Sequence, residues 1–402
     1  MSPGIKAAYA VDKHVDTAVA LCRQQLGAGT PDFLLVFGGG KHDPDELFHV
    51  LIEAFGNVSI AGGATAGAIS TSGFGYTGYE LGLIAFRGED VTPKLVSVPM
   101  CLDGEFGAGQ ELGRLVNTVA ESGAPVLLLF DSVAKIDPLR LHPASRIMAG
   151  FQNILDKRGF HVIGGGLLTD INMSDSWIFD GDKVAKNTVS AVIFPATLTA
   201  TTVILHGCRP VSTFMEITRI EGAEVFELDR QPALGLVEQM LGFELGTKSG
   251  QELSLVATLG QKQGDPFAPY DESQYVNRLI LQVTPERGSI TLFEPDFAAG
   301  TQVQIMSRDN VLMLESVELG VQRLKKEVEG QSCAFGLYID CAGRASIMSG
   351  AENEEASCVV DALAPDFPFL GFYSGVEVAP FAENYSRPLD WTGVLTIFQY
   401  RK

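Results

Sequence analysis

The amino-acid sequence predicts a fold between α/β and α+β, in which mixed sheets are built from repeated β-α-β-β units and helices pack on the sheets. Two observations support this prediction. The chain has 402 residues, of which 46% are hydrophobic and 19% are charged, so it can bury a large core. In addition, one order of apolar and Gly-rich segments occurs three times along the chain.

Each copy of this pattern has an apolar strand, a helix, a second strand that ends in a Gly-rich loop, and a closing apolar strand. These segments lie at 33–37, 44–55, 58–67 and 81–86 in the first copy, at 126–130, 145–157, 161–170 and 190–194 in the second, and at 335–340, 354–363, 369–377 and 394–398 in the third. We therefore expect three equivalent substructures with their Gly loops at the same strand ends.

A long insert separates the third copy from the first two, and a domain boundary is expected within it. The segment 195–205 has no charged residue and many β-branched ones, which predicts a crossover strand. We therefore divide the chain into an N-terminal domain, 1–200, and a C-terminal domain, 201–402. Outside the copies, the patterns predict helices near 15–26, 231–241 and 314–328 and a hairpin formed by 279–283 and 289–293.

Charge and cysteine usage restrict the partners and the compartment. Lys and Arg total 29 against 49 Asp and Glu, a formal net charge of -20, which disfavours nucleic acid and anionic lipid surfaces as partners. We find no signal peptide and no apolar run long enough to span a bilayer. The six cysteines are scattered without a C-x-x-C pair, which is typical of reduced thiols. We expect a cytoplasmic protein.

The motifs argue against a conventional enzyme. Lys41 follows three glycines, but the first glycine and the hydroxyl residue of a Walker A loop are missing. Ser374 has Gly371 three residues before it instead of two, so a nucleophile elbow is absent as well. No metal-ligand spacing of a common type is present. The sequence therefore predicts a protein that is not an enzyme.

Several short segments resemble the FIST-N and FIST-C domains, in order and over nearly the whole chain. Residues 62–67 read Gly-Gly-Ala-Thr-Ala-Gly and are similar to the G-C-S-T-A-G-E loop of FIST-N, although Ala64 and Ala68 replace its Cys and Glu. In the C-terminal half, the segments at 206–210, 341–344 and 371–377 follow the FIST-C order. The chain is thus identified as similar to FIST proteins.

This resemblance implies a sensory function. FIST proteins are modules that bind small ligands and feed histidine kinases or other signalling output proteins. The NosP-type branch consists of stand-alone FIST chains that bind haem b and report nitric oxide, and the resemblance implies this function for the present chain. Two alternatives stay open: a metal-free sensor of an amino acid or other small metabolite, and an interaction scaffold.

The candidate binding residues of the third copy are Arg344, Tyr373 and Glu377. Arg344 and Glu377 each follow an apolar strand, where a charged side chain is costly unless it is paired. They can form a buried salt bridge, or they can clamp a zwitterionic ligand through its carboxylate and ammonium groups. Tyr373 would supply an apolar wall of such a pocket.

His206 is the candidate haem and metal ligand. It follows an apolar strand end, precedes Gly207 and lies at the expected domain junction, where pockets tend to form. An imidazole in this position can be an axial iron ligand, with Arg209 or Arg344 meeting the propionates. The other interpretation is a histidine that is hydrogen-bonded in the interdomain core.

Overall fold

The structure of the protein, a computed structural model, describes residues 4–155, 159–245, 257–381 and 385–401. Within these residues the strands form three six-stranded sheets, one barrel and a small two-stranded ribbon. Each six-stranded sheet is built around one copy of the repeated pattern. We call the three copies the first, second and third units.

The sheet of the first unit has the pairing that its apolar segments predict. In spatial order its strands are β1 (Gly4–Val11), β6 (Glu80–Arg87), β2 (Phe33–Gly39), β3 (Ser59–Thr65), β12 (Ile178–Gly181) and β13 (Val184–Ala185). The pair β2 and β3 is parallel, whereas β6 runs antiparallel to both β1 and β2. Parallel neighbours need a crossover, which the helix of the unit supplies.

The second and third sheets repeat this order. Listed from the corresponding edge, the second contains β7 (Lys94–Pro99), β14 (Thr188–Ile193), β8 (Pro125–Asp131), β11 (His161–Leu167), β26 (Glu377–Phe381) and β27 (Tyr385–Leu389). The third contains β15 (Leu198–Leu205), β28 (Gly393–Tyr400), β24 (Cys333–Cys341), β25 (Phe369–Ser374), β4 (Ala68–Ser70) and β5 (Gly73–Gly75). The parallel pairs are β8 with β11 and β24 with β25.

The three units exchange strands in a cycle. The strand β12, from the second unit, adds antiparallel to β3 of the first. In the same way β26 of the third unit adds to β11 of the second, and β4 of the first unit adds to β25 of the third. Each sheet is therefore completed by a strand of another unit.

Except for the helix Ala233–Leu241, whose apolar residues belong to the central core, the helices pack on the outer faces of the sheets. They are α1 (Val15–Leu26), α2 (Pro44–Phe55), α3 (Glu105–Val119), α4 (Ala144–Ile154), α5 (Ala233–Leu241), α6 (Asn310–Glu327), α7 (Ser346–Ser349) and α8 (Glu355–Leu363). The start of α2 is set locally, because Pro44 suits the first turn and Asp43 accepts hydrogen bonds from two backbone N–H groups. None of the described helices combines the length and apolar composition needed to cross a membrane.

The inner faces of the three sheets share one apolar core. Alternate residues of β2, such as Leu35 and Phe37, point into it, while Leu34 and Val36 pack on the helices of the first unit. One phenylalanine from each unit meets in this core. The ring centroids of Phe86 and Phe194 are 5.9 Å apart, and each lies 5.5 Å from that of Phe335.

The barrel is inserted into the third unit between β15 and α6. Its strands are β16 (Arg209–Pro210), β17 (Met215–Glu221), β18 (Glu224–Leu228), β19 (Gln231–Pro232), β20 (Ala257–Lys262), β21 (Tyr275–Thr284), β22 (Ser289–Leu292) and β23 (Gln302–Ser307). The ring closes because β23 pairs with both β17 and β20. The small ribbon consists of β9 (Val133–Lys135) and β10 (Arg140–Leu141).

The predicted fold class is confirmed, since the protein has mixed sheets with helices packed on them. The predicted hairpin is formed by β21 and β22, and the crossover strand is β15. Two helices begin elsewhere than predicted: α6 begins at Asn310 because Asp309 caps it, and α5 begins at Ala233 because Gln231 and Pro232 form β19. The expected last residues of α4, 156 and 157, lie outside the described residues. The division at 200/201 stays a prediction.

Candidate functional site

The Gly-rich strand ends of the three units meet. The N–H of Tyr373 donates to the carbonyl of Gly67 at 3.0 Å, and the N–H of Gly375 donates to the carbonyl of Gly166 at 2.9 Å. The glycines allow close backbone packing here: a Cβ on Gly164 would lie 2.1 Å from the carbonyl oxygen of the neighbouring strand. The three strand ends therefore converge, and backbone contacts fill the meeting point.

His206 lies directly after β15 and is buried, with 1% of its surface exposed. Its Nδ1 accepts the N–H of Cys208 at 2.9 Å, which places the ring proton on Nε2. The Nε2–H then donates to the carbonyl of Glu272 at 2.9 Å. Burial lowers the pKa of His206, so the ring is neutral.

These contacts do not fit a haem at His206. Both ring nitrogens are hydrogen-bonded, so an iron bond would require one of these bonds to break and the buried ring to turn. Arg209, proposed for a propionate, stacks on the ring of Tyr270 with its guanidinium carbon 4.3 Å from the centroid. The contacts at His206 match the other interpretation, a hydrogen-bonded core histidine.

Arg344 is fully buried, and all three of its nitrogens are engaged. Its Nε donates to Glu355 at 2.8 Å, and its Nη2 donates to the other oxygen of the same carboxylate. Its Nη1 donates to the carbonyl oxygens of His206 and Trp391 at 3.1 and 3.0 Å. The guanidinium is thus used within the protein, and its partner is Glu355 rather than the expected Glu377.

Glu377 and Tyr373 are buried in the same region but have other partners. Glu377 accepts hydrogen bonds from the hydroxyl of Ser374 at 2.6 Å and from the N–H of Thr392 at 3.3 Å. Burial raises the pKa of Glu377 well above its usual range. The hydroxyl of Tyr373 donates to Glu354 at 2.8 Å. With these partners, Glu377 and Arg344 do not form the clamp for a zwitterionic ligand that the sequence suggested.

Asp340 completes this buried network. The sequence analysis did not identify this residue. Its carboxylate lies 3.4 Å from the Nε of Arg344, and burial together with the nearby Glu355 raises its pKa well above its usual range. One guanidinium thus faces two buried carboxyl groups, and burial favours the protonated form of Asp340. A signal was present, because Asp340 is an acidic residue at the end of the apolar run that begins at Phe335.

A groove of about 430 Å³ adjoins the His206 end of the network. It lies where β15, the barrel and α6 come together, and Ser273 and Gln274 on its wall directly follow Glu272 in sequence. Among the described residues, the side-chain nitrogen of Gln263 and the side-chain oxygen of Gln274 are buried without a hydrogen-bond partner. The lining residues are Thr202, Val203, Ile204, Gln263, Gly264, Ser273, Gln274, Arg323, Glu327, Pro380 and Phe381.

The groove can bind a polar ligand. Its wall carries one donor and one acceptor that are buried without a partner, and a ligand reaches them only when the Gln263 and Gln274 side chains turn towards the groove. Arg323 is half-exposed and lies 3.7 Å from Asp271, so its charge is only loosely paired. No cluster of three or more metal-ligating side chains is found in the part of the chain that the structure describes.

Comparison with protein families identifies the chain. The FIST N domain matches residues 32–231, and the FIST C domain matches residues 233–380. The chain belongs to the FIST domain proteins. FIST domains are generally small-ligand sensing domains of signalling proteins, so the predicted family and its general sensory character are confirmed.

Proteins of similar sequence occur in mycobacteria. Two uncharacterized proteins, from two strains of Mycobacterium tuberculosis, are each 26% identical to this FIST protein over 387 residues, covering 94% of both chains. An uncharacterized protein of Mycobacterium bovis is 26% identical over 230 residues, covering 56% of this chain and 58% of its own.

Two solved structures are distantly similar. A cyanuric acid hydrolase from A. caulinodans has a TM-score of 0.37 and 6% identity, and a second cyanuric acid hydrolase has a TM-score of 0.35 and 8% identity. Both comparisons cover 100% of this chain and of the other. We draw no functional argument from likenesses of this size.

Proposed function

We propose that this FIST protein is a metal-free sensor of a small polar metabolite, such as an amino acid, and that it reports to a separate signalling protein. The observation that carries the proposal is the presence of both FIST domains in one chain. The groove beside His206 supports it, because the groove offers unpaired polar groups within a site of ligand size.

The position of the groove suggests how binding is reported. Its walls come from β15 of the third unit, from the barrel and from α6. A ligand that contacts β15, the barrel and α6 binds best when the distances between these three elements fit it. Binding therefore shifts the population of the protein towards that arrangement. The neighbouring network, in which Glu272 accepts the N–H groups of His206 and Gly207, ties the barrel to the end of β15.

A thermal-shift screen tests the proposal. Purified protein is heated with a panel of amino acids and other small metabolites, and a ligand present at about a hundred times its Kd should stabilise the fold by about 2.7 kcal/mol. Gln274→Met removes the unpaired acceptor of the groove and should weaken the response to a hit. Arg114→Met, on the exposed face of α3, is the matched control. A panel without any hit would favour the interaction scaffold instead.

The haem-based sensor of nitric oxide, with a histidine kinase as partner, stays a prediction of the family resemblance. The hydrogen bonds of His206 weigh against this residue as the iron ligand. A visible spectrum after reconstitution with haem b decides the matter. A Soret band that persists in His206→Ala would support haem at another position, and a spectrum without haem uptake would leave the metal-free sensor.

A further inference from the structure

The N-terminus of α4 is capped by a carboxylate from a distant part of the chain. Pro143 precedes the helix and supplies no side-chain cap. Instead, the N–H of Ala144 donates to one oxygen of Glu294 at 3.0 Å, and the N–H of Ser145 donates to the other at 2.9 Å. Glu294 follows β22 of the barrel, so a single buried carboxylate links the barrel to the second unit.

Two other helices, α2 and α6, use local caps. Asp43 caps α2 through the N–H groups of Asp45 and Glu46, and Asp309 caps α6 in the same way. A helix N-terminus attracts anions because its first N–H groups are unpaired and its dipole is positive there. At α4 this anion site is built at the end of the parallel strands β8 and β11, and a distant carboxylate occupies it.

A second observation at the same place points to a ligand. A cavity of about 40 Å³ lies beside Glu294, and Ser132 is on its wall. Ser132 is 6% exposed, and its hydroxyl has no hydrogen-bond partner within the described residues. Two glycines lie close to this hydroxyl. A Cβ on Gly166 would lie 2.3 Å from the Oγ of Ser132, and a Cβ on Gly375 would lie 2.8 Å from it. The cavity therefore offers an unused hydroxyl next to a carboxylate-binding helix end.

We propose that the N-terminus of α4 is a binding site for a small carboxylate with a polar group on the adjacent carbon, and that Glu294 occupies this site until the ligand replaces it. The exchange conserves the hydrogen bonds of Ala144 and Ser145, because either carboxylate can accept both. The adjacent polar group of the ligand gives Ser132 a partner. This site is separate from the groove of the proposed function.

When a ligand displaces Glu294 from α4, the contacts between the barrel and the rest of the protein change. The barrel then loses its bond to α4 and keeps its ion pairs with the third unit, of which one joins Arg278 Nη1 of β21 to Asp390 Oδ1 at 3.5 Å. Asp296 also pairs with Arg387 of β27 at 2.7 Å. Binding at α4 would thus release one of the contacts of the barrel while others stay in place.

The test uses acetate and glycolate as probes, with chloride at equal ionic strength as the blank, and follows the backbone amide resonances of Ala144 and Ser145 by NMR. Glu294→Ala should bind acetate at least about tenfold more tightly than the wild type, because the internal competitor is absent. Glycolate should bind more tightly than acetate, and Ser132→Ala should abolish that difference. Asp43→Ala, which removes a local cap on another helix, is the matched control and should leave both affinities unchanged.

The wild type provides the decisive comparison. Glycolate should shift the same two amide resonances in the wild type at higher concentration. If glycolate shifts them only in Glu294→Ala, Glu294 is a permanent cap and the proposal is overturned. If Glu294→Ala does not fold, Glu294→Gln keeps the shape and removes the charge, and it should bind acetate more tightly than the wild type. Equal binding by Gln variant and wild type would overturn the proposal as well.

Discussion

Replacing Arg344 with methionine tests the buried network most directly. The substitution keeps a long apolar side chain but removes the guanidinium that lies between Glu355 and Asp340. It also takes the hydrogen-bond donor from the carbonyl oxygens of His206 and Trp391. All of these groups are in the protein interior, where water does not replace the lost partner.

The magnitude follows from these contacts. Removing one partner of a buried ion pair costs about 3–5 kcal/mol, because the other charge stays buried without compensation. Each carbonyl that loses its donor adds roughly 1 kcal/mol. Proton uptake by the two carboxyl groups offsets part of this cost. We therefore expect the free energy of unfolding to fall by about 4 kcal/mol near neutral pH.

The pH dependence is a second part of this prediction. Burial raises the pKa of Asp340 and of Glu355, and loss of Arg344 raises both further. A carboxyl group with a higher pKa in the folded chain binds more protons there than in the unfolded chain, so stability falls as the pH rises through the folded-state pKa. The loss in Arg344→Met should therefore be larger at about pH 8 than at about pH 5.

Urea unfolding followed by tryptophan fluorescence measures these effects. Arg114→Met is the control, because Arg114 and Glu111 form an exposed pair that contributes less than about 1 kcal/mol. A loss below about 1 kcal/mol in Arg344→Met, or a loss that is the same at both pH values, would refute the reasoning about the buried network.

Three further predictions concern single sites. Between about pH 5 and 8 the imidazole resonances of His206 should not titrate in NMR spectra, because the buried ring donates through one nitrogen and accepts through the other. Exposed Cys101 should be alkylated by iodoacetamide long before Cys22, whose pKa burial raises to about 12, as mass spectrometry of timed samples will show. Gly166→Ala should lower the free energy of unfolding by about 1–3 kcal/mol, since its Cβ would lie 2.3 Å from the Oγ of Ser132, and Ser132→Ala should restore part of the loss in chemical denaturation.

Much of the fold could be predicted from local patterns. The bounds of α2 were predicted correctly, because an amphipathic run begins with Pro44 after a capping Asp43 and ends before Gly56. The apolar runs of β2, β8 and β24 were recognised as strands because each is short and uninterrupted, and the structure buries each of them on both faces. Local sequence determines such elements, so tertiary contacts were not needed to find them.

The barrel and the exchanged strands could not be predicted in this way. The strand β12 belongs in sequence to the second unit but pairs with β3 of the first, and no local pattern specifies that partner. Closure of the barrel depends on β23 pairing with β17 and β20 at once. Pairing between distant segments is chosen by how their side chains pack in three dimensions, which periodicity does not record.

The candidate site divides in the same way. The sequence by itself predicted that Arg344 and Glu377 are interior polar residues, because each follows an apolar strand, and that His206 follows the end of an apolar strand. Only the tertiary structure decided that Arg344 pairs with Glu355, and that both nitrogens of His206 are engaged. The physical reason is that burial requires each polar group to find a partner, while the folded arrangement of distant segments determines which partner is within reach.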